Sequence, residues 1–292
     1  MVEATLLSAT AAAAAAEMRT VFWFRKGLRL HDSPALVAAL DGCTTLYPVF
    51  CLDPWFVSSG KVGANRMRFL LESLRDLDSS LRDLNSRLIV LQGNPKDELP
   101  RIFQDWDVQR LAYEVDIEPY AKTRDAEING LAAAAGVEVL TRCGHTLCDP
   151  EALLRRAGGT PTTTYSTFLS HFEKETKASP IVALPRPTTL PPVGAAAAAE
   201  GSGGSVPALR ALGGVYADAE EVSSRVLCKG GESVALERMR AHLQRKAWVA
   251  AFEKPQTSPT EMNAFGAGTR STTVLSPYLK FGCLSPRLFY TE

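Results

Sequence analysis

Along residues 20–140, short apolar runs alternate with stretches in which apolar residues recur every three or four positions. That alternation predicts βα units stacked on a parallel sheet. Five strands are predicted, at 21–24, 46–51, 88–91, 110–114 and 137–140, each short and rich in β-formers or leucine. Between the second and third, Met67, Leu70, Leu71, Leu74, Leu77, Leu81 and Leu84 keep helical spacing with charged residues between them, which predicts one amphipathic helix. Further helices are predicted at 34–40, 96–105 and 120–135, the last stopped by Gly136.

Beyond residue 141 the alternation fades, and 180–214 is rich in Pro, Ala and Gly. Such a composition buries little apolar surface and predicts a linker or long surface loop between two units. Helical spacing returns over 231–252, where Ala235, Met239, Leu243 and Ala247 share a face, and again from Pro277. The expected organisation is a disordered leader at 1–19, an α/β domain at 20–150, a connection at 151–225 and the opening part of an all-α domain at 226–292.

Composition narrows the class. With 292 residues, 46% of them apolar, the chain can bury a sizeable core. Lys plus Arg and Asp plus Glu both number 32, so net charge advertises neither nucleic acid nor an anionic membrane. Six scattered cysteines lack the dense framework of a small secreted domain and favour free thiols in a reducing setting. No apolar run approaches the roughly 20 residues of a bilayer span. The Ala-rich N-terminus carries no Lys or Arg before Arg19, unlike a signal or transit peptide. The expected location is intracellular, nucleus or cytoplasm, with organelle targeting as the alternative.

Four places carry candidate chemistry. The basic turn after the first strand, Arg25 to Ser33, lies at a strand's carboxyl end, where doubly wound sheets bind ligands, with Asp32 or Ser33 as cap of the next helix. Its plain alternative is a structural turn whose arginines pair with acids. Glu114, Asp116 and Glu118 form an acidic group, expected to meet Lys122 and Arg124 in a loop at the sheet edge. Cys143, His145 and Cys148 have zinc-ligating chemistry but are one ligand short, so free thiols are preferred and no metal is assigned. Finally, Ser276-Pro277 and Ser285-Pro286 each read as an N-cap with proline at the first helical position. Hydroxyls of Thr272, Thr273 and Ser276 ahead of a helix either cap it or complete a phosphate site.

The opening run Phe22-Trp23-Phe24-Arg25-Lys26-Gly27-Leu28-Arg29-Leu30-His31-Asp32 resembles the signature of the photolyase/cryptochrome family, in which position 27 is usually Asp and position 33 usually Asn. Further resemblances follow in family order: Asn65-Arg66, Gly93-Asn94-Pro95, Glu114-x-Asp116-x-Glu118-Pro119-Tyr120, His145-Thr146-Leu147 and Thr164-Tyr165-x-x-Phe168. The last is the most specific. Thr272-Thr273-Val274-Leu275-Ser276-Pro277-Tyr278-Leu279-Lys280-Phe281-Gly282-Cys283-Leu284-Ser285, preceded by Phe252-Glu253-Lys254-Pro255, is similar to the flavin-phosphate motif of the (6-4) photolyase and animal-type cryptochrome branch.

The resemblance implies a five-stranded parallel Rossmann-like sheet with helices on both faces, followed by an incomplete helical flavin domain. It implies FAD, with Lys254, Thr272, Thr273, Val274, Leu275 and Ser276 as phosphate-side contacts, and an antenna chromophore, folate or deazaflavin, on the α/β domain. The parent would repair pyrimidine photoproducts as a DNA photolyase, with damaged DNA as partner, or act as a cryptochrome photoreceptor on signalling proteins. This chain alone is expected to be inactive, without the ring contacts of a complete flavin pocket. A stand-alone antenna or nucleotide-binding stub is the alternative.

Overall fold

A computed structural model describes residues 17–198, 203–219, 228–251 and 273–292. The chain folds in the order β1 (Arg19–Phe24), α1 (Pro34–Ala39), β2 (Thr45–Cys51), α2 (Pro54–Ser58), α3 (Ala64–Arg82), β3 (Ile89–Leu91), α4 (Pro95–Asp105), β4 (Arg110–Glu114), α5 (Pro119–Ala134) and β5 (Glu138–Arg142). The five strands form one parallel sheet in the order β3-β2-β1-β4-β5, with β1 at its centre. All five predicted strands are present.

Period-two alternation divides the core. Phe22, Phe24, Leu46, Phe50 and Val90 face one side, where they pack with α1 and α3. Val21, Trp23, Val49, Ile89, Leu91, Leu111 and Tyr113 face the other, against α4 and α5. Strands buried on both faces read as continuous apolar runs, which is why they were legible. On α3, Met67, Leu70, Leu71, Leu74, Leu77 and Leu81 are all buried, as their spacing requires.

After β5 come α6 (Pro150–Arg156), α7 (Tyr165–Ala178), α8 (Glu232–Leu243), α9 (Lys246–Ala250), α10 (Ser276–Phe281) and α11 (Pro286–Thr291). Helices α2, α6 and α7 are not among the predicted helices; none has a buried residue, although Tyr165, Phe168 and Phe172 keep helical spacing on α7 and stack along it. The predicted helix over 231–252 is two helices, broken at Gln244–Arg245. Ala235 and Met239 are buried on α8, whereas Ala247, past the break, is exposed.

The Pro/Ala/Gly stretch is tied down where it is described. Pro192 accepts the Leu46 amide, and Gly204 exchanges two backbone hydrogen bonds with Val90 of the edge strand β3, both 2.9 Å. Leu209 and Tyr216 are buried beside α3, the tyrosine hydroxyl donating to the Val62 carbonyl at 2.7 Å. Backbone hydrogen bonds to the sheet supply the order that its composition lacks.

Candidate functional site

The turn between β1 and α1 and the motif around α10 and α11, some 250 residues apart in sequence, interlock. Gly27 and Leu28 amides both donate to the Phe281 carbonyl at 3.2 Å. Arg29, fully buried, donates to four carbonyl oxygens, those of Gly282 at 2.9 Å, Gly144 at 2.8 Å, Asp32 at 3.0 Å and His31 at 3.1 Å. A guanidinium presents five donors in a fixed fork, which suits it to gather carbonyls from several segments. One of the four, that of Gly282, is the C-cap carbonyl of α10, where positive charge favours the helix dipole.

Asp32 completes the joint from a left-handed backbone, φ 45. Its carboxylate accepts from Arg287 at 2.7 Å and 3.0 Å, from the Ser285 hydroxyl, and from the Leu184 amide at 2.8 Å. The turn is therefore filled by its own chain. Its arginines pair structurally, as the plain alternative held, with Arg25 on Asp125. Ser33 stands at the cap position of α1 but makes no cap bond, and its hydroxyl donates to Glu114 at 3.2 Å.

Glu114 explains the glycine at position 27. Gly27 has φ 82, and a Cβ there would stand 2.6 Å from Oε2 of Glu114. The carboxylate near Arg29, 3.6 Å away, thus arrives from the end of β4 instead of from the turn itself. Burial raises the Glu114 carboxyl above its ordinary range, against the pull of Arg29. Beside it, His145 lies 3.5 Å from Oε2 and is pushed down to about 3 by burial, with Arg29 adding repulsion. His145 is thereby neutral.

The acids do not meet Lys122 and Arg124. Lys26 holds Asp116 at 2.9 Å and Glu118 at 2.7 Å, Lys280 of α10 takes Glu118 at 2.9 Å, and Arg124 pairs with Asp125. The sequence reading erred because β4 lies inside the sheet, so its carboxyl end faces the β1 turn. Burial works against ionised Asp116, but Lys26 and the Glu118 amide hold it below the usual carboxylate range. Cys143 contacts the Thr146 hydroxyl at 3.2 Å, and all six cysteines are free. Among the described residues no group of three or more His, Cys, Asp or Glu side chains could hold a metal ion.

At the carboxyl ends of β1 and β2 opens a cleft of about 390 Å³, lined in part by Arg25 and Lys26 of the basic turn. Trp23, Phe50, Trp55, Phe56, Tyr120 and Phe281 give it aromatic walls, and Lys26, Arg66, Arg124 and Lys280 line it as cations. Trp55 and Tyr120, both exposed, stack at its edge with centroids 5.8 Å apart. The signal that existed was positional, since Trp23 and Phe50 lie near the carboxyl ends of β1 and β2 and Trp55, Phe56 and Tyr120 follow β2 and β4.

Of the residues assigned to flavin phosphate, Lys254 and Thr272 lie outside the described residues. Thr273 is half-buried, Val274 and Leu275 are buried, and Ser276 is exposed at the first position of α10. Leu275, not Ser276, is the residue that caps α10, and no side chain makes a cap bond there. Ser285 does cap α11, its hydroxyl accepting from the Arg287 and Leu288 amides. Val274 has φ 53, a conformation costly for a β-branched residue.

The DNA photolyase family model matches residues 20–190. Cryptochrome-1 of Macaca fascicularis is 45% identical over 274 residues, which are 94% of this chain and 45% of the relative. Cryptochrome-2 of Gallus gallus is 45% identical over 276 residues, 93% of this chain and 45% of the relative. The chain spans about half the length of the curated relatives it matches. Among solved structures, a Synechocystis cryptochrome superposes with a TM-score of 0.74 at 24% identity, over 94% of this chain and 55% of that one. An archaeal photolyase from Sulfolobus tokodaii, solved with two FAD molecules, gives 0.67 at 23% identity, over 94% and 54%.

Proposed function

The chain belongs to the DNA photolyase family, which includes the cryptochromes, and from that premise we propose that it forms the antenna half and first flavin contact of a blue-light flavoprotein. The cleft carries the reading. Its 390 Å³ falls in the range of small-molecule sites, about 300 to 1,000 Å³. Aromatic walls offer stacking faces to a planar ring system, and the lining carries both cations and the acids Asp53, Asp116 and Glu118, with Lys26 and Lys280 already paired to the last two. A folate or deazaflavin antenna matches that chemistry. The two FAD molecules of the Sulfolobus tokodaii photolyase support a flavin as well.

Lys254, Thr272, Thr273, Val274, Leu275 and Ser276 would hold the FAD pyrophosphate. Two observations favour the fit. The left-handed Val274 is the kind of strained residue that clusters at ligand sites. Ser276 turns outward instead of capping α10, so its hydroxyl is accessible to a ligand. When bound, the flavin supplies blue-light absorption and one-electron chemistry. The chain's own residues orient it by fixing α10 to the β1 turn through Arg29, Gly27 and Leu28.

For the whole protein, 45% identity to cryptochromes supports a photoreceptor acting on signalling proteins. Repair of damaged DNA is the second reading, supported by the shared family model.

Titration with a reduced folate, a deazaflavin and FAD, followed by tryptophan fluorescence, tests the cleft. Saturable quenching that weakens in Phe56→Ala is expected; absence of saturable quenching by all three sinks the reading. Illumination of the whole protein with UV-damaged duplex DNA separates the two roles, since photoproduct reversal would assign repair.

A further inference from the structure

His31 is buried in the β1 turn with both ring nitrogens engaged. Nδ1 lies 2.5 Å from Oε1 of Glu232 on α8, and the Ser285 amide, at the start of α11, points at Nε2 from 3.1 Å. A backbone nitrogen can only donate. Nε2 must therefore present its lone pair, and the ring's single proton sits on Nδ1, donated to the carboxylate. Glu232 is further fixed by the Leu30 and His31 amides, each at 2.9 Å.

We propose that His31 is an acid-operated latch. As a neutral imidazole it joins α8 to α11, and taking up a second proton it releases the Ser285 end while keeping the Glu232 end. The asymmetry follows from the donors. A proton on Nε2 would set one N–H against another across 3.1 Å, leaving the buried Ser285 amide unpaired. On the opposite side the cation meets a carboxylate, which strengthens that contact.

The other charged groups around the ring are already committed. Arg29 is turned to carbonyl oxygens, and Asp32 is taken by Arg287 and the Ser285 hydroxyl. Glu232 stays ionised through the range in which imidazoles titrate. Burial opposes that charge, but His31 and the two amides hold its carboxyl below the usual range.

The latch goes beyond the light-driven reading, since it concerns how the helical segments attach whether or not a chromophore binds. Amide hydrogen exchange on the 292-residue chain, corrected for intrinsic rates, tests it between about pH 8 and pH 5. Protection at Ser285 is expected to fall about tenfold or more, as for one hydrogen bond lost with its donor left buried. Protection at Leu30 should hold. His31→Gln, which keeps one donor and one acceptor but cannot titrate, should flatten the Ser285 response. Equal loss at Leu30 and Ser285, or a response that survives in His31→Gln, overturns the latch. So does a nitrogen NMR spectrum that puts the neutral ring's proton on Nε2.

Discussion

Arg29 donates to the carbonyl of Gly282 at 2.9 Å, joining positions 253 apart through a side chain with no solvent exposure. Truncation would strand a carboxyl and four carbonyls in the interior. Arg29→Met is expected to lower the unfolding free energy by about 3 kcal/mol or more, read from urea denaturation. Arg29→Lys should recover only part, because an ammonium cannot span the four acceptors.

Gly27 and Glu114 compete for one space. Gly27→Asp alone should destabilise by about 2 kcal/mol or more, from positive φ and the clash with Glu114. Combining it with Glu114→Ala should recover some of the loss by restoring a single carboxylate near Arg29. A double-mutant cycle measures the coupling, and additive effects would show that the two side chains do not share the site.

Acid should weaken the fold through His145. Its folded pKa, about 3, lies below the roughly 6.5 of a free imidazole, so the unfolded chain takes up the proton first. The contribution is fully present above about pH 6.5 and is lost as the pH falls toward the folded value. His145→Asn should flatten the stability profile between about pH 6.5 and 4.5, measured by denaturant midpoints at fixed salt. An unchanged slope would remove His145 from the account.

The phosphate assignment has its own variant. Ser276→Ala with Thr272→Val should lower FAD occupancy of the whole protein several-fold while far-ultraviolet circular dichroism of the α/β layer stays unchanged. Unchanged occupancy would leave these hydroxyls without a ligand role.

The sheet was legible because strands buried on both faces are written as apolar runs, and α3 because one face must meet that sheet. Helices α2, α6 and α7 have no buried residue to mark a core face, and their signs were local ones, the caps Asp53, Asp149 and Thr164. The C-terminal motif was found by resemblance, and Ser285 by its capping pattern. Ser276 was misplaced as a cap because Ser-Pro satisfies the pattern whether serine stands before the helix or within its first turn. The place of the cleft, at the carboxyl end of β1, was legible, but its other walls and the partners of the acids were not, since both depend on strand order, which brings β4 beside β1.

That strand order also sets a schedule. β1 occupies the middle of the sheet and can pair with β2 and β4 soon after they are made, yet the Arg29 fork must wait for Gly282. At about 5 to 20 residues per second, ribosomal synthesis delays that partner by on the order of tens of seconds. Until then a charged arginine and an aspartate face an unfinished groove, so the nascent domain must remain hydrated at the very turn that later becomes its driest joint.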